Sequence, residues 1–221
     1  VAQRTGTASQ VNASGGDGST SVTVPSDATA VVALWAHYDS NGGTTLSSLT
    51  LNGVGFTIQE QIAEGATTDE TGTGVATLNN PATGSQTFAW TWSGGGARAE
   101  GGWIVLVYVK DVDLASLVRD TATDAQLGSN DCSVQLTNIE TTDLLLAAAQ
   151  SFTGTNPALD GTVFINDAGL NSENYDVSEA TGQSGTVTVN MTGENYSSMV
   201  AIALRNITAA PGAIAWIGAA G

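Results

Sequence analysis

Short runs rich in Val, Thr, Ser and Ala recur along the whole chain, each closed by a cluster of Gly, Asn, Asp or Ser. This spacing is the strongest constraint on the fold. Nowhere do Lys, Glu and Leu recur together at helical intervals, whereas regularly spaced strands with turn signals between them are the mark of a sandwich or barrel. The expected fold is all-β: a two-sheet antiparallel β-sandwich, jelly-roll-like. Its predicted strands are Ser21–Val24, Ala30–Tyr38, Leu49–Leu51, Gly55–Ile58, Gly74–Leu78, Gln86–Ser93 and Gly102–Val109. A second set follows at Ser133–Leu136, Asp143–Phe152, Val163–Asn166, Tyr175–Ala180, Thr186–Met191 and Ser197–Arg205. Ala30–Tyr38, Gly102–Val109 and Asp143–Phe152 are nearly continuous apolar runs, as expected of strands covered on both faces.

The two sets are alike. Ser21-Val22-Thr23-Val24, a six-residue gap and Val31-Val32-Ala33-Leu34 align on Ser133-Val134-Gln135-Leu136, a six-residue gap and Asp143-Leu144-Leu145-Leu146. Thr87–Trp92 followed by Trp103–Val109 likewise matches Thr186–Met191 followed by Met199–Arg205. The sequence therefore predicts pseudo-equivalent halves, about 18–113 and 131–207, sharing one core in a single domain over 1–207. An apolar C-terminal arm, 208–221, follows.

Charge narrows the function classes. Twenty-one acidic residues oppose five basic ones, a formal net charge of −16 in 221 residues. Such a chain cannot assemble the cationic patch that neutralises nucleic-acid phosphates, and an anionic membrane surface repels it. The longest apolar run, Trp103–Val109, is far too short to span a bilayer, and no leader-like segment opens the sequence, so a soluble chain is expected. A start at Val1 fits removal of an initiator Met and equally a cleaved leader. Cys132 is the single cysteine, which precludes an internal disulfide and suits a buried thiol.

The residues that could carry chemistry are few. His37 is the single histidine and falls inside a predicted core strand, so neither a zinc cluster nor a nucleophile–base pair is expected. The carboxylates needed for glycoside hydrolysis are scattered through turns. Asp39-Ser40-Asn41-Gly42 and Ser129-Asn130-Asp131 have oxygen ligands suited to calcium, but turn chemistry explains them. Gly15-Gly16-Asp17-Gly18 has no Lys or helix after it to make a phosphate loop. The expectation is no catalytic residue, no cofactor and no metal.

Two features remain as candidate binding elements. Phe88, Trp90 and Trp92 share one face of a strand; exposed, they would form a sugar-stacking stripe. The second half carries Val187, Val189 and Met191 at the matching positions, which favours a core face. The arm is uncharged and apolar in an acidic chain, and Pro211 and Gly212 set it apart. One reading of the arm is an extra edge strand on the same sandwich; the other is a docking arm, with Ile214, Trp216 and Ile217 as candidate partner-docking residues through strand addition or a pocket in a neighbouring subunit.

The order of segments resembles a β-sandwich domain that recurs in phage virion structural proteins and in secreted bacterial surface proteins. The resembling pieces begin with Ser21-Val22-Thr23-Val24-Pro25-Ser26 before an apolar strand, Leu51-Asn52-Gly53-Val54, and Thr77–Gly84 before Thr87–Gly94. They continue with Val105–Val112 and Ala201-Ile202-Ala203-Leu204-Arg205. The resemblance implies a virion component, such as a capsid decoration or cement protein. It would stand as a homo-oligomer, with a trimer favoured, on a major capsid protein or another virion protein at the particle surface. The alternative it implies is a secreted or surface-displayed carbohydrate-binding adhesin module.

Overall fold

The β-branched runs become strands in the computed structural model, which describes every residue except 40–41, 65–69, 95–100, 127–130, 153–157, 168–172, 193–196 and 208–221. The first half contributes β1 (Gln3–Arg4), β2 (Ser9–Asn12), β3 (Gly18–Val24), β4 (Ala30–Asp39) and β5 (Thr45–Leu51). It continues with β6 (Val54–Gly55), β7 (Thr57–Glu64), β8 (Glu70–Asn79), β9 (Gly84–Ser93) and β10 (Gly101–Lys110). The second half contributes β11 (Val118–Gln126), β12 (Asp131–Ile139), β13 (Leu144–Phe152) and β14 (Ala158–Leu159). It ends with β15 (Thr162–Asp167), β16 (Glu173–Ala180), β17 (Gly185–Thr192) and β18 (Ser197–Leu204).

Every strand pairing is antiparallel, and the two halves repeat one topology. One sheet of the first half runs β1-β10-β4-β8-β7, with β2 also on β10; its counterpart runs β11-β18-β13-β16-β15. The other sheets run β3-β9-β5-β6 and β12-β17-β14. The all-β antiparallel sandwich class is thus what the chain adopts. Its described sheets are four rather than two, because each half closes a sandwich of its own and the long sheets then pack back to back.

Side-chain alternation builds this stack. Along β4, Ala30, Val32, Leu34 and Ala36 enter the layer between the halves, while Val31, Ala33 and Trp35 enter the first half's own core. In β18, Val200, Ile202 and Leu204 meet the first half, and Met199, Ala201 and Ala203 face the second half's core. The continuous apolar runs are therefore strands covered on both faces. The layer between halves also holds Trp103 stacked on Tyr175, ring centroids 4.3 Å apart at 18°.

The molecule has two unlike ends. At one, tight turns close the hairpins; Asn52 and Gly53 both take positive φ (50° and 80°), as a two-residue turn between twisted strands requires. Val112 bridges Asn206 there, and the Ala2 N–H donates to the Thr142 carbonyl across the halves. At the other end, Asp39 lies opposite Glu70, Tyr38 opposite Gly101, and Ser197 opposite both Gln126 and Ser151. A hydrogen bond of 3.1 Å between the Thr71 and Ser198 hydroxyls places those strand ends together. The strands flanking 65–69, 95–100, 127–130, 153–157, 168–172 and 193–196 all stop at this loop-bearing end.

Candidate functional site

Phe88, Trp90 and Trp92 do not form an exposed stripe. They are 0%, 8% and 8% exposed, and β9 presents them to the first half's core beside Trp35 and Leu49. The connection between β2 and β3 seals their polar edges. Trp90 Nε1 donates to the Gly16 carbonyl (2.9 Å), Trp92 Nε1 to the Ala13 carbonyl (3.1 Å), and the Trp92 N–H to Asp17 Oδ1 (2.8 Å). A Cβ on Gly18 would stand 2.4 Å from Trp90 Cζ2, so the chain passes flush against the indole. The Gly15–Gly18 segment is thereby a cover for tryptophans. Replacing Trp90 by alanine should lower stability by about 3–5 kcal/mol in denaturant unfolding. An unchanged midpoint would return the residue to the surface.

His37 is 2% exposed and packs against Trp92, ring centroids 5.0 Å apart, with Gly72 beneath it. Asp39, fully buried, accepts a hydrogen bond from the Thr44 hydroxyl. Ser40 and Asn41 of the calcium-like loop, and Ser129 and Asn130 of the other, lie outside the described residues. Among the described residues no group of three or more His, Cys, Asp or Glu side chains gathers where a metal could sit. No described helix is long and apolar enough to cross a membrane.

Cys132 is 1% exposed in the second half's core. Burial, aided by the Asp124 and Asp131 carboxylates, pushes its thiol from 9.0 up to about 12. Because the folded value is raised, the contribution to stability is complete below 9.0 and is lost as pH rises towards 12. The folded chain should therefore leave a thiol reagent unreacted at pH 8 and consume it on unfolding. Rapid labelling of the folded chain would show that the thiol is reachable.

Among the described residues, Arg4, Lys110 and Arg119 are engaged in ion pairs at the turn-bearing end. Arg4 pairs with Glu179 (Nε to Oε2, 2.9 Å) and lies over the Phe164 ring, 4.1 Å from its centroid; Lys110 pairs with Asp27 at 2.8 Å. Arg119 joins Glu140 (3.0 Å) and the buried Asp143. Ile207, the last described residue, is fixed here too, its N–H donating to the Asp111 carbonyl at 3.0 Å. The partner-docking candidates Ile214, Trp216 and Ile217 lie outside the described residues.

Two neighbouring concavities mark the second half near this end. One, of about 260 Å³, opens between its two sheets, with Leu145, Ala147, Val187 and Val189 inside and Asp160 and Gln183 at its rim. The other, of about 400 Å³, is lined by Gln3, Arg4, Leu144, Glu179 and Ala180; Ala180 belongs to both. Sequence reasoning missed both, since they arise from the shortness of β14 and from packing of the N-terminal strand on the second half. Neither the family models nor the curated proteins compared with the chain match it.

Proposed function

We propose that this chain is a non-enzymatic virion structural protein of the capsid decoration type, held on the particle by its turn-bearing end. The observation that carries this reading is polarity of the fold. Ile207, where the described residues stop, is tied to Asp111 at the turn-bearing end, while the strands flanking 65–69, 95–100, 127–130, 153–157, 168–172 and 193–196 stop at the opposite end. A fold with its tight turns at one end and those strand ends at the other suits a protein that attaches by one end and displays the other. The resemblance in segment order over 18–206 supports the same reading, as does a net charge of −16, which keeps crowded copies apart.

In this reading Ile214, Trp216 and Ile217 make the contact with the major capsid protein or another virion protein, and copies cluster as a homo-oligomer, a trimer by preference. The sugar-binding alternative has no platform in Phe88, Trp90 and Trp92, which are buried. Quantitative mass spectrometry of purified particles tests the proposal: the chain should be present in fixed, stoichiometric copy number. Its absence from particles, with the protein free in the medium, would overturn it.

A further inference from the structure

The two sandwiches repeat each other except at one edge. Thr87–Trp92 of β9 is equivalent to Thr186–Met191 of β17, and β5 covers β9 from Leu46 opposite Trp92 to Leu51 opposite Phe88. The Asn52 N–H carries that cover on to the Thr87 carbonyl at 2.7 Å. In the second half β14 covers β17 only at Thr192 and Met191. Asp160 caps the next position: its N–H donates to the Asn190 carbonyl (3.0 Å), and its Oδ2 accepts from the Asn190 N–H (3.0 Å) and Nδ2 (2.9 Å). From there to Gly185 no described strand pairs with this side of β17. Successive residues aim their backbone groups at alternate edges, so Thr188 and Thr186, like Asn190, point N–H and C=O at the uncovered side.

Beside this edge lies the 260 Å³ cleft, walled by Leu145, Ala147, Val187 and Val189. It is smaller than the roughly 300–1,000 Å³ usual for small-molecule sites, and suits side chains reaching in from a strand. The first half shows which side chains. There Leu49 stands opposite Trp90 and Leu51 opposite Phe88, both leucines buried, with Thr50 between them on the other face. Trp90 and Phe88 are the equivalents of Val189 and Val187, so the matching cover is an antiparallel strand with aliphatic residues two apart. Charge adds a further requirement. Asp160 is exposed at the rim and holds Asn190 through Oδ2 alone, in a chain of net charge −16. An anionic segment is repelled here, whereas a basic residue just ahead of the first aliphatic one arrives beside Asp160.

We propose that the edge of β17 between Gly185 and Asn190 is a docking site for an extended segment of another protein, patterned basic–aliphatic–polar–aliphatic and added antiparallel to β17. Its two aliphatic side chains stand opposite Val189 and Val187 and enter the cleft. The polar residue between them and the residue after the second exchange backbone hydrogen bonds with Thr188 and Thr186, and the basic residue meets Asp160. β17 is then covered as β5 covers β9. The inference goes beyond the particle reading and does not rest on it, since the edge and the cleft belong to the second sandwich alone.

The probe is a capped synthetic peptide, Lys-Leu-Thr-Leu-Thr, with hydrogen exchange of the full chain followed at single-residue resolution. With saturating peptide the Thr186 and Thr188 amides should exchange about ten-fold more slowly. Val187 and Val189, already paired with β12, should be unchanged. The same peptide begun with Glu in place of Lys should bind about five-fold more weakly, and Asp160→Asn should erase that preference. Thr188→Pro, which removes an outward N–H at an edge position, should abolish binding while β4 and β10 keep their protection. Unaltered exchange at Thr186 and Thr188 in millimolar peptide would overturn the proposal, as would equal binding of the two peptides. So would slow exchange of both amides without peptide. In a monomer that result would mean the edge is covered by the chain itself, and alongside a dimer mass, by a second copy.

Discussion

Replacing Arg119 by alanine is expected to cost about 3–5 kcal/mol of folding stability. The reason lies in what the substitution leaves behind. Asp143 is fully buried, and Arg119, with only 10% of its side chain exposed, is its ionic partner. The remaining contacts of Asp143 include the Glu140 N–H at 2.9 Å, which alone does not neutralise the carboxylate. Arg119 also holds Glu140, so one side chain ties the start of β11 to the turn between β12 and β13. Urea unfolding measures the loss. Arg119→Lys, which keeps the charge but not the planar fork, should fall between wild type and alanine. A cost under about 1 kcal/mol would mean the pair behaves like an exposed one.

The second large effect concerns the seam between the halves. Trp103 is 3% exposed and stacked on Tyr175, so it contributes area from one half against an aromatic of the other. Trp103→Ala should cost about 3–5 kcal/mol as a large buried truncation. It should also split one calorimetric transition into two, since each half keeps a core of its own. Trp103→Phe is the control. The indole N–H is buried without a hydrogen-bond partner, so losing it while keeping a ring to stack should cost far less than alanine. A single sharp transition in the alanine variant would show that the seam does not depend on this stack.

The strands that sequence made legible are those whose side chains answer to a buried face. Every predicted strand overlaps an observed one, and the repeat of Ser21–Leu34 on Ser133–Leu146 reappears as equivalent strands in equivalent sheets. β11 was missed because Val118–Gln126 is half-buried almost throughout, alternating Asp, Thr and Arg where a core strand would alternate valines. β1, β2 and β14 are two to four residues long, too short for any period to register. Four layers in place of two could not be read either. Continuous apolar runs say that both faces are covered, but not whether the second cover is another sheet of the same half or the other half of the chain.

The candidate site was less legible than the fold. Phe88, Trp90 and Trp92 have the same alternation whether a strand faces sugar or core; what decides is the Ala13–Asp17 cover laid over their polar edges. The cleft beside β17 is a difference between repeats. It became visible only when β14 proved to be two residues long where β5 has seven.

The engagement of the cations at the turn-bearing end has an electrical consequence. Arg4, Lys110, Arg119 and Arg205 are the basic residues among those described, and all sit near that end. Asp17, Glu70 and Asp131 lie towards the opposite end with no described basic residue near them. Among the described residues the cations are therefore gathered at the turn-bearing end, each beside acids, while the acids at the opposite end stand without them. Near an acidic surface those gathered cations favour turning the turn-bearing end inward before a single contact forms, and added salt weakens that preference within a Debye length of about 8–10 Å.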